Sequence, residues 1–129
     1  LQPALGSIRL WPFDGALPSL TVSPGVVVAE IYPAAAARRI GATFVGSKVN
    51  QDDRRSVAHA ITESAEQNGC RVDAAARSQI AAGFPEGDDA FDACVGALAM
   101  LDVVTRYSDL DEPPKDVSAQ TEGWILGVR

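Results

Sequence analysis

The sequence predicts an α/β fold with a short mixed or parallel sheet and several helices. Residues 26–32 form a nearly continuous run of β-branched and other apolar side chains, which is typical of a strand buried on both faces of a parallel sheet. A helix should follow at once, because Pro33 suits a first helical turn and Gly41 is placed to end the helix after Ile40. Strands that alternate with helices are the signature of α/β architecture.

The other elements follow from local patterns. An amphipathic pattern that begins at Asn50 or Asp52 and ends before Asn68 predicts a helix, with Arg54 and Arg55 on its water-facing side. The longest apolar segment predicts a buried helix over 90–106, which begins at a run of carboxylates. The remaining predicted elements are a strand over 7–11 closed by a turn at 14–15, a helix over 72–82, a surface loop over 107–121 and a last strand over 122–128.

Length and composition predict one globular domain over residues 1–129. The 17 acidic and 11 basic residues give a net charge of −6, which argues against nucleic-acid binding through a broad basic surface. The longest unbroken apolar run, 93–101, is far too short to span a bilayer, so no membrane partner is expected. Two cysteines, Cys70 and Cys94, are too few for a disulfide scaffold and favour reduced thiols in a cytoplasmic protein.

The acidic run before the longest helix is the most informative stretch. In a helix that begins near residue 90, Asp89 and Asp92 lie three residues apart and therefore on one face. Paired carboxylates of this kind suit the hard cations Mg²⁺ and Mn²⁺, whose other positions are filled by water and phosphate. The alternative is helix capping by Asp88 or Asp89, which leaves Asp92 unexplained because it lies a full turn inside the helix. Both interpretations remain open.

Four short blocks, in order along the chain, resemble the predicted RNase-H-like nuclease family, a family of domains of unknown function. The blocks are 11–15 (WPFDG), 30–34 (EIYPA), 88–93 (DDAFDA) and 122–125 (EGWI). The segment 89–93 is also similar in spacing to the final acidic helix of Holliday-junction resolvases.

The resemblance implies the C-terminal part of an RNase-H-like fold and a metal-dependent hydrolysis of phosphodiester bonds in nucleic acid. Two Mg²⁺ or Mn²⁺ ions would activate water and stabilise the leaving oxygen. The carboxylates implied for this site are Glu30, Asp89 and Asp92, with Asp88 as a further metal ligand. Glu30 has an equally weighted alternative, which is an ion pair with Arg38 or Lys48.

One family feature is missing from this sequence, namely a first strand with an Asp in a Gly-Ile-Asp-Gly-like context. The chain also starts with Leu1-Gln2-Pro3, which has the character of a cut end. We therefore expect a fragment that lacks the N-terminal strands, is inactive alone and binds metal weakly. Its exposed sheet edge would favour pairing with another copy.

Three classes of function thus stay open: a nuclease, a non-catalytic RNase-H-like binding or assembly module, and an unrelated α/β domain whose acids cap a helix. Lys48 and Arg54 are candidate phosphate contacts, although charged residues on an amphipathic helix usually form its solvated face. Trp11 and Trp124 are expected in the core rather than stacked on bases. His59 is assigned no role.

Overall fold

A computed structural model of the chain describes residues 6–108, 111–114 and 123–128. These residues form a mixed α/β fold with more helix than strand, as the sequence predicts. The elements in chain order are β1 (Ile8–Leu10), α1 (Leu17–Thr21), β2 (Val26–Val28), α2 (Pro33–Arg39), α3 (Gln51–Ser56), α4 (Ala58–Gln67), α5 (Ala74–Ala81) and α6 (Asp88–Thr105).

The sheet consists of β1 and β2, which pair in parallel with Ile8 opposite Val26 and Leu10 opposite Val28. The prediction that the second strand is buried on both faces is wrong. Val26 and Val28 remain 43% and 47% exposed, and only the residue between them packs inward. The reason is that alternate strand residues point to opposite faces, and the described elements cover only one face of this sheet.

The chain after β2 makes one further sheet-like contact. Glu30 forms an isolated parallel bridge with Ile125, in which the Leu126 amide donates to the Glu30 carbonyl at 2.8 Å. The predicted strand over 122–128 is therefore reduced to a single bridge within 123–128, and its first residue lies outside the described residues. Most of the predicted loop over 107–121 also lies outside them.

The four predicted helices follow in the predicted order, whereas α1 is an additional helix that the sequence analysis did not predict. The predicted helix over 50–67 is divided at Val57 into α3 and α4, and the Asn50 side chain caps α3 by accepting from the Asp52 amide. Helix α5 ends before Gly83, whose φ is +72°. A Cβ on Gly83 would lie 2.6 Å from the Gln51 carbonyl oxygen, so only glycine fits this close approach between α5 and α3.

Helix α6 begins at Asp88, and its N-cap is Gly87 rather than an acidic residue. No side chain caps this end by hydrogen bonding, so the expectation that Asp88 or Asp89 is the N-cap is wrong. Both residues lie in the first turn, where their charge still complements the helix dipole.

Two apolar clusters form the core. The larger one packs α2, α4 and α5 against α6, with Ile61, Phe91 and Val95 fully buried. The smaller one packs β2 and α1 against the C-terminal half of α6 around Trp11, which is 2% exposed. Trp124 packs against the same cluster, which confirms the core assignment of both tryptophans. Among the described residues, no helix combines the length and the apolar character needed to cross a membrane.

Candidate functional site

The acidic end of α6 is organised around one lysine. The Lys48 ammonium donates a hydrogen bond to Oδ2 of Asp92 and lies 3.4 Å from Oδ2 of Asp88. Asp88 and Asp92 are four residues apart, so their side chains project from the same side of α6. The hydrogen bond to Asp92 raises the pKa of Lys48, and its pairing with Asp88 adds to the rise, so the lysine stays charged at neutral pH.

Asp92 has an oxygen that its lysine partner does not use. Its side chain is 20% exposed, and Oδ1 is buried with no hydrogen-bond partner among the described residues. A buried acceptor without a donor costs free energy, about 1–3 kcal/mol. A donor or cation that reached this oxygen would recover that cost.

Arg54 holds the segment that carries Lys48. The prediction that Arg54 faces water is wrong, because the residue is 3% exposed. Its guanidinium donates to the carbonyls of Lys48 and Val49 on one side, and to those of Gly83 and Phe84, which follow α5, on the other. A buried cation needs compensation, and the C-terminal end of α5 supplies it as a set of carbonyl dipoles. Arg54 is thus committed to main-chain contacts and positions Lys48.

The other two predicted carboxylates lie apart from the ion pairs of Lys48. Asp89 is exposed in the first turn of α6, and the lysine joins Asp92 to Asp88 instead. Glu30 is exposed, and its carbonyl is fixed by Leu126. The alternative in which Glu30 pairs with Arg38 or Lys48 is not found among the described ion pairs.

A pocket of about 300 Å³ adjoins the lysine cluster between α2 and α6. Its walls are apolar, and include Tyr32, Pro33, Phe44 and Phe91, while Lys48 and Asp92 are its charged residues. The rings of Phe44 and Phe91 meet edge to face with centroids 6.0 Å apart. Apolar pockets with a few convergent polar groups are the usual form of a ligand site.

A second ionic cluster lies further along α6 and was missed by the sequence analysis. Arg39 of α2 donates to Asp102 at 2.8 Å and to Asp111 at 2.7 Å. Arg106 also donates to Asp102, at 2.7 Å. Asp111 is fully buried and also accepts from the Ser108 amide. This cluster ties α2 to α6 and to the chain that follows α6.

A signal for that cluster was present in the sequence. Asp102 continues the helical spacing of Phe91, Val95 and Leu98, so it lies on the apolar stripe of α6. A carboxylate at such a position needs a buried cation. The identity of that cation depends on tertiary packing.

The described residues offer few ligands for the predicted metal ion. The described residues contain no group of three or more His, Cys, Asp or Glu side chains able to hold a metal ion. Asp88 and Asp92 offer two carboxylates on one helix face, and Mg²⁺ commonly takes one or two carboxylates with water and substrate phosphate completing its shell. The unpartnered Oδ1 of Asp92 is compatible with that chemistry, but the Lys48 ammonium already contacts both carboxylates, so a metal ion bound between them would have to displace it.

The site as a whole combines two carboxylates, one ammonium group and an apolar pocket. Such a set can hold a cation, pair with a phosphate or accept hydrogen bonds from a planar ligand. No protein-family model, curated protein or solved structure matches the chain.

Proposed function

We propose that this chain belongs to a metal-dependent nuclease that hydrolyses phosphodiester bonds in nucleic acid, and that it carries part of an RNase-H-like fold. The observation that carries the proposal is the Asp88–Lys48–Asp92 cluster with the unpartnered Asp92 oxygen. The two carboxylates of this cluster lie in the acidic block 88–93, which resembles the nuclease family. The mixed α/β fold is compatible with the proposal at the level of fold class.

The residues have distinct roles in this proposal. Asp88 and Asp92 would hold Mg²⁺ or Mn²⁺, and the resemblance implies Asp89, the next residue of α6, and Glu30, which follows β2, as further carboxylates. When bound, the metal supplies an activated water and stabilises the leaving oxygen. Lys48, which is charged at neutral pH, pairs with a phosphate oxygen of the nucleic acid. Arg54 keeps the Lys48 segment in place and does not touch the substrate. A reducing compartment such as the cytoplasm suits the two free thiols.

The test is cleavage of labelled single-stranded DNA, duplex DNA and RNA with Mg²⁺ or Mn²⁺. It uses the protein that contains this chain and its Asp92→Asn variant, which keeps the shape of the side chain and removes its charge. We expect cleavage by the parent and a loss of orders of magnitude in the variant, because a neutral amide holds a hard cation poorly. The melting temperature should change little, because Asp92 lies at the partly exposed end of α6.

Asp52→Asn is the matched control, since the Asp52 side chain is 80% exposed and pairs only with Arg55 among the described residues. Its cleavage rate should equal that of the parent. If Asp92→Asn cleaves as fast as the parent, or the parent cleaves none of the substrates with either metal, the nuclease proposal is wrong.

A non-catalytic binding or assembly module is the second candidate function. It is favoured by the small carboxylate set among the described residues and by the lysine that already neutralises one of the two charges. In this case nucleic acid would bind without cleavage, and metal would not change its affinity.

A further inference from the structure

We propose that the pocket between α2 and α6 receives one unpaired nucleobase, so that the substrate of this site is single-stranded nucleic acid. The inference rests on the proposed function for its nucleic-acid substrate, and it specifies the form of that substrate.

The walls of the pocket suit a flat aromatic ring. Phe44, Phe91 and Tyr32 line it, and Tyr32 is 54% exposed although it is a large aromatic side chain. Exposed aromatics beside a groove are the stacking platforms of single-strand binders, because every base has a π-face. A volume of about 300 Å³ lies at the lower end of ligand pockets, which suits one ring system rather than several nucleotides.

The charged residues select a neutral ligand with hydrogen-bond donors. Two carboxylates and one ammonium leave one net negative charge beside the mostly apolar pocket, so the pocket itself favours a neutral base over a phosphate. The buried Oδ1 of Asp92 needs a donor. The exocyclic amino groups of adenine, cytosine and guanine are such donors, and Asp is a known acceptor for the amino group of cytosine. Thymine has no exocyclic amino group, so it should bind less well.

A base in this pocket requires an unpaired substrate. In a duplex, the bases are stacked and their pairing edges are occupied, so a base cannot enter a pocket without being extruded. A single strand offers the base directly, while its phosphate remains outside near Lys48. In the absence of metal, Oδ2 of Asp92 stays with the lysine and the unpartnered Oδ1 is left to accept from the base.

The experiment measures binding without metal by fluorescence anisotropy. The probes are labelled oligo-dC, oligo-dT, an abasic oligonucleotide of the same length and a duplex. We expect the order oligo-dC, oligo-dT, abasic strand from tightest to weakest, with the duplex no tighter than the abasic strand. Tyr32→Ala should lower the affinity for oligo-dC about tenfold and leave that for the abasic strand unchanged, because stacking on the ring is lost.

Tyr32→Leu is the second variant, since it retains apolar bulk before α2 and removes the aromatic ring with its hydroxyl. Phe13→Ala is the control, because Phe13 is an exposed aromatic, 47% accessible, that does not line the pocket. Equal affinities for oligo-dC and the abasic strand, or an unchanged affinity in both Tyr32 variants, would overturn the inference. Duplex binding as tight as that of oligo-dC would overturn it as well.

The two proposals fail separately. Metal-dependent cleavage without any dependence of binding on bases would overturn the pocket assignment and support the nuclease. Base-dependent binding without cleavage would support the pocket and favour the binding module over the nuclease.

Discussion

Lys48 and the two carboxylates that it contacts, those of Asp88 and Asp92, show how single residues acquire a role through their neighbours. In the sequence, Lys48 is one of several cations near a helix start, and Asp88 is a candidate cap. In the fold, the lysine lies between Asp88 and Asp92, and their hydrogen bonding raises its pKa. Its raised pKa means that this pairing persists through the neutral range and is lost only at alkaline pH, above the usual lysine pKa of 10.5.

The two cysteines should differ in reactivity. Burial raises the pKa of the Cys94 thiol, and the charge of Cys70 adds to the rise, whereas Cys70 is exposed. At pH 8 a chromogenic disulfide reagent should therefore modify Cys70 quickly and Cys94 slowly, because the thiolate is the reactive form. Cys70→Ser should remove the fast phase, and Cys94→Ser should keep it.

The same shift has a consequence for stability. Burial raises the pKa of Cys94 in the folded protein. Below the unfolded pKa of about 9 the thiol is therefore protonated, and its contribution to the free energy of unfolding is fully present. Stability should then fall as pH rises through the folded value. In the modification experiment at pH 8, equal reaction rates for Cys70 and Cys94 would contradict the burial of Cys94.

At the scale of elements, ion pairs connect both ends of helix α6 to the rest of the molecule. Lys48 contacts its first two turns, and Arg39 of α2 contacts Asp102 near its C-terminus. Between these ends, apolar side chains of α6 pack against α2. The candidate site lies at the N-terminal end of this helix pair, where the pocket opens.

Arg54 connects α3 to the end of α5, and its removal should destabilise the fold. Arg54→Met keeps much of the apolar volume but leaves the carbonyls of Gly83 and Phe84 without their donor. We expect a loss of about 3 kcal/mol in the free energy of unfolding, measured by urea denaturation, since hydrogen bonds from charged groups contribute about 1.5–3 kcal/mol each.

Arg55→Met is the matched control, because the neighbouring Arg55 side chain is 53% exposed and forms one surface pair with Asp52. It should change the unfolding free energy by less than about 1 kcal/mol. If the two variants unfold at the same urea concentration, the main-chain contacts of Arg54 contribute little.

For the whole molecule, the outer face of the sheet is the most unusual surface. Ile8, Leu10, Val26 and Val28 are 68%, 48%, 43% and 47% exposed, and the strand register places them side by side on one face. Neither strand has a second sheet partner along these residues within the described part of the chain. An apolar face next to free strand edges is prone to pairing with another copy.

We therefore expect the chain to self-associate through this sheet. The sedimentation coefficient should rise with protein concentration, and Leu10→Lys should lower the association because it places a charge in the apolar face. Val45→Lys is the control, since Val45 is 100% exposed outside the sheet. A monomer whose sedimentation does not depend on concentration would contradict this expectation.

The sequence by itself determined the class of the fold and the order of most elements. Glycine and proline positions marked the ends of α2 and α5, and the long apolar period marked α6, because these signals act within one or two turns of chain. Spacing predicted that Asp89 and Asp92 share one face of α6, because the helical repeat fixes which residues share a face, but the pair that Lys48 joins is Asp88 and Asp92.

Only the tertiary structure decided which charges meet. Arg54 is buried because the end of α5 offers it carbonyls, Asp102 is paired because α2 brings Arg39 to it, and Asp88 joins Asp92 because Lys48 lies between them. These partners are 29, 63 and 40 or more residues apart in the chain, and local periodicity carries no information over such separations. The physical reason is that burial of a charge depends on the partner that packing supplies, and that partner is chosen by the whole fold.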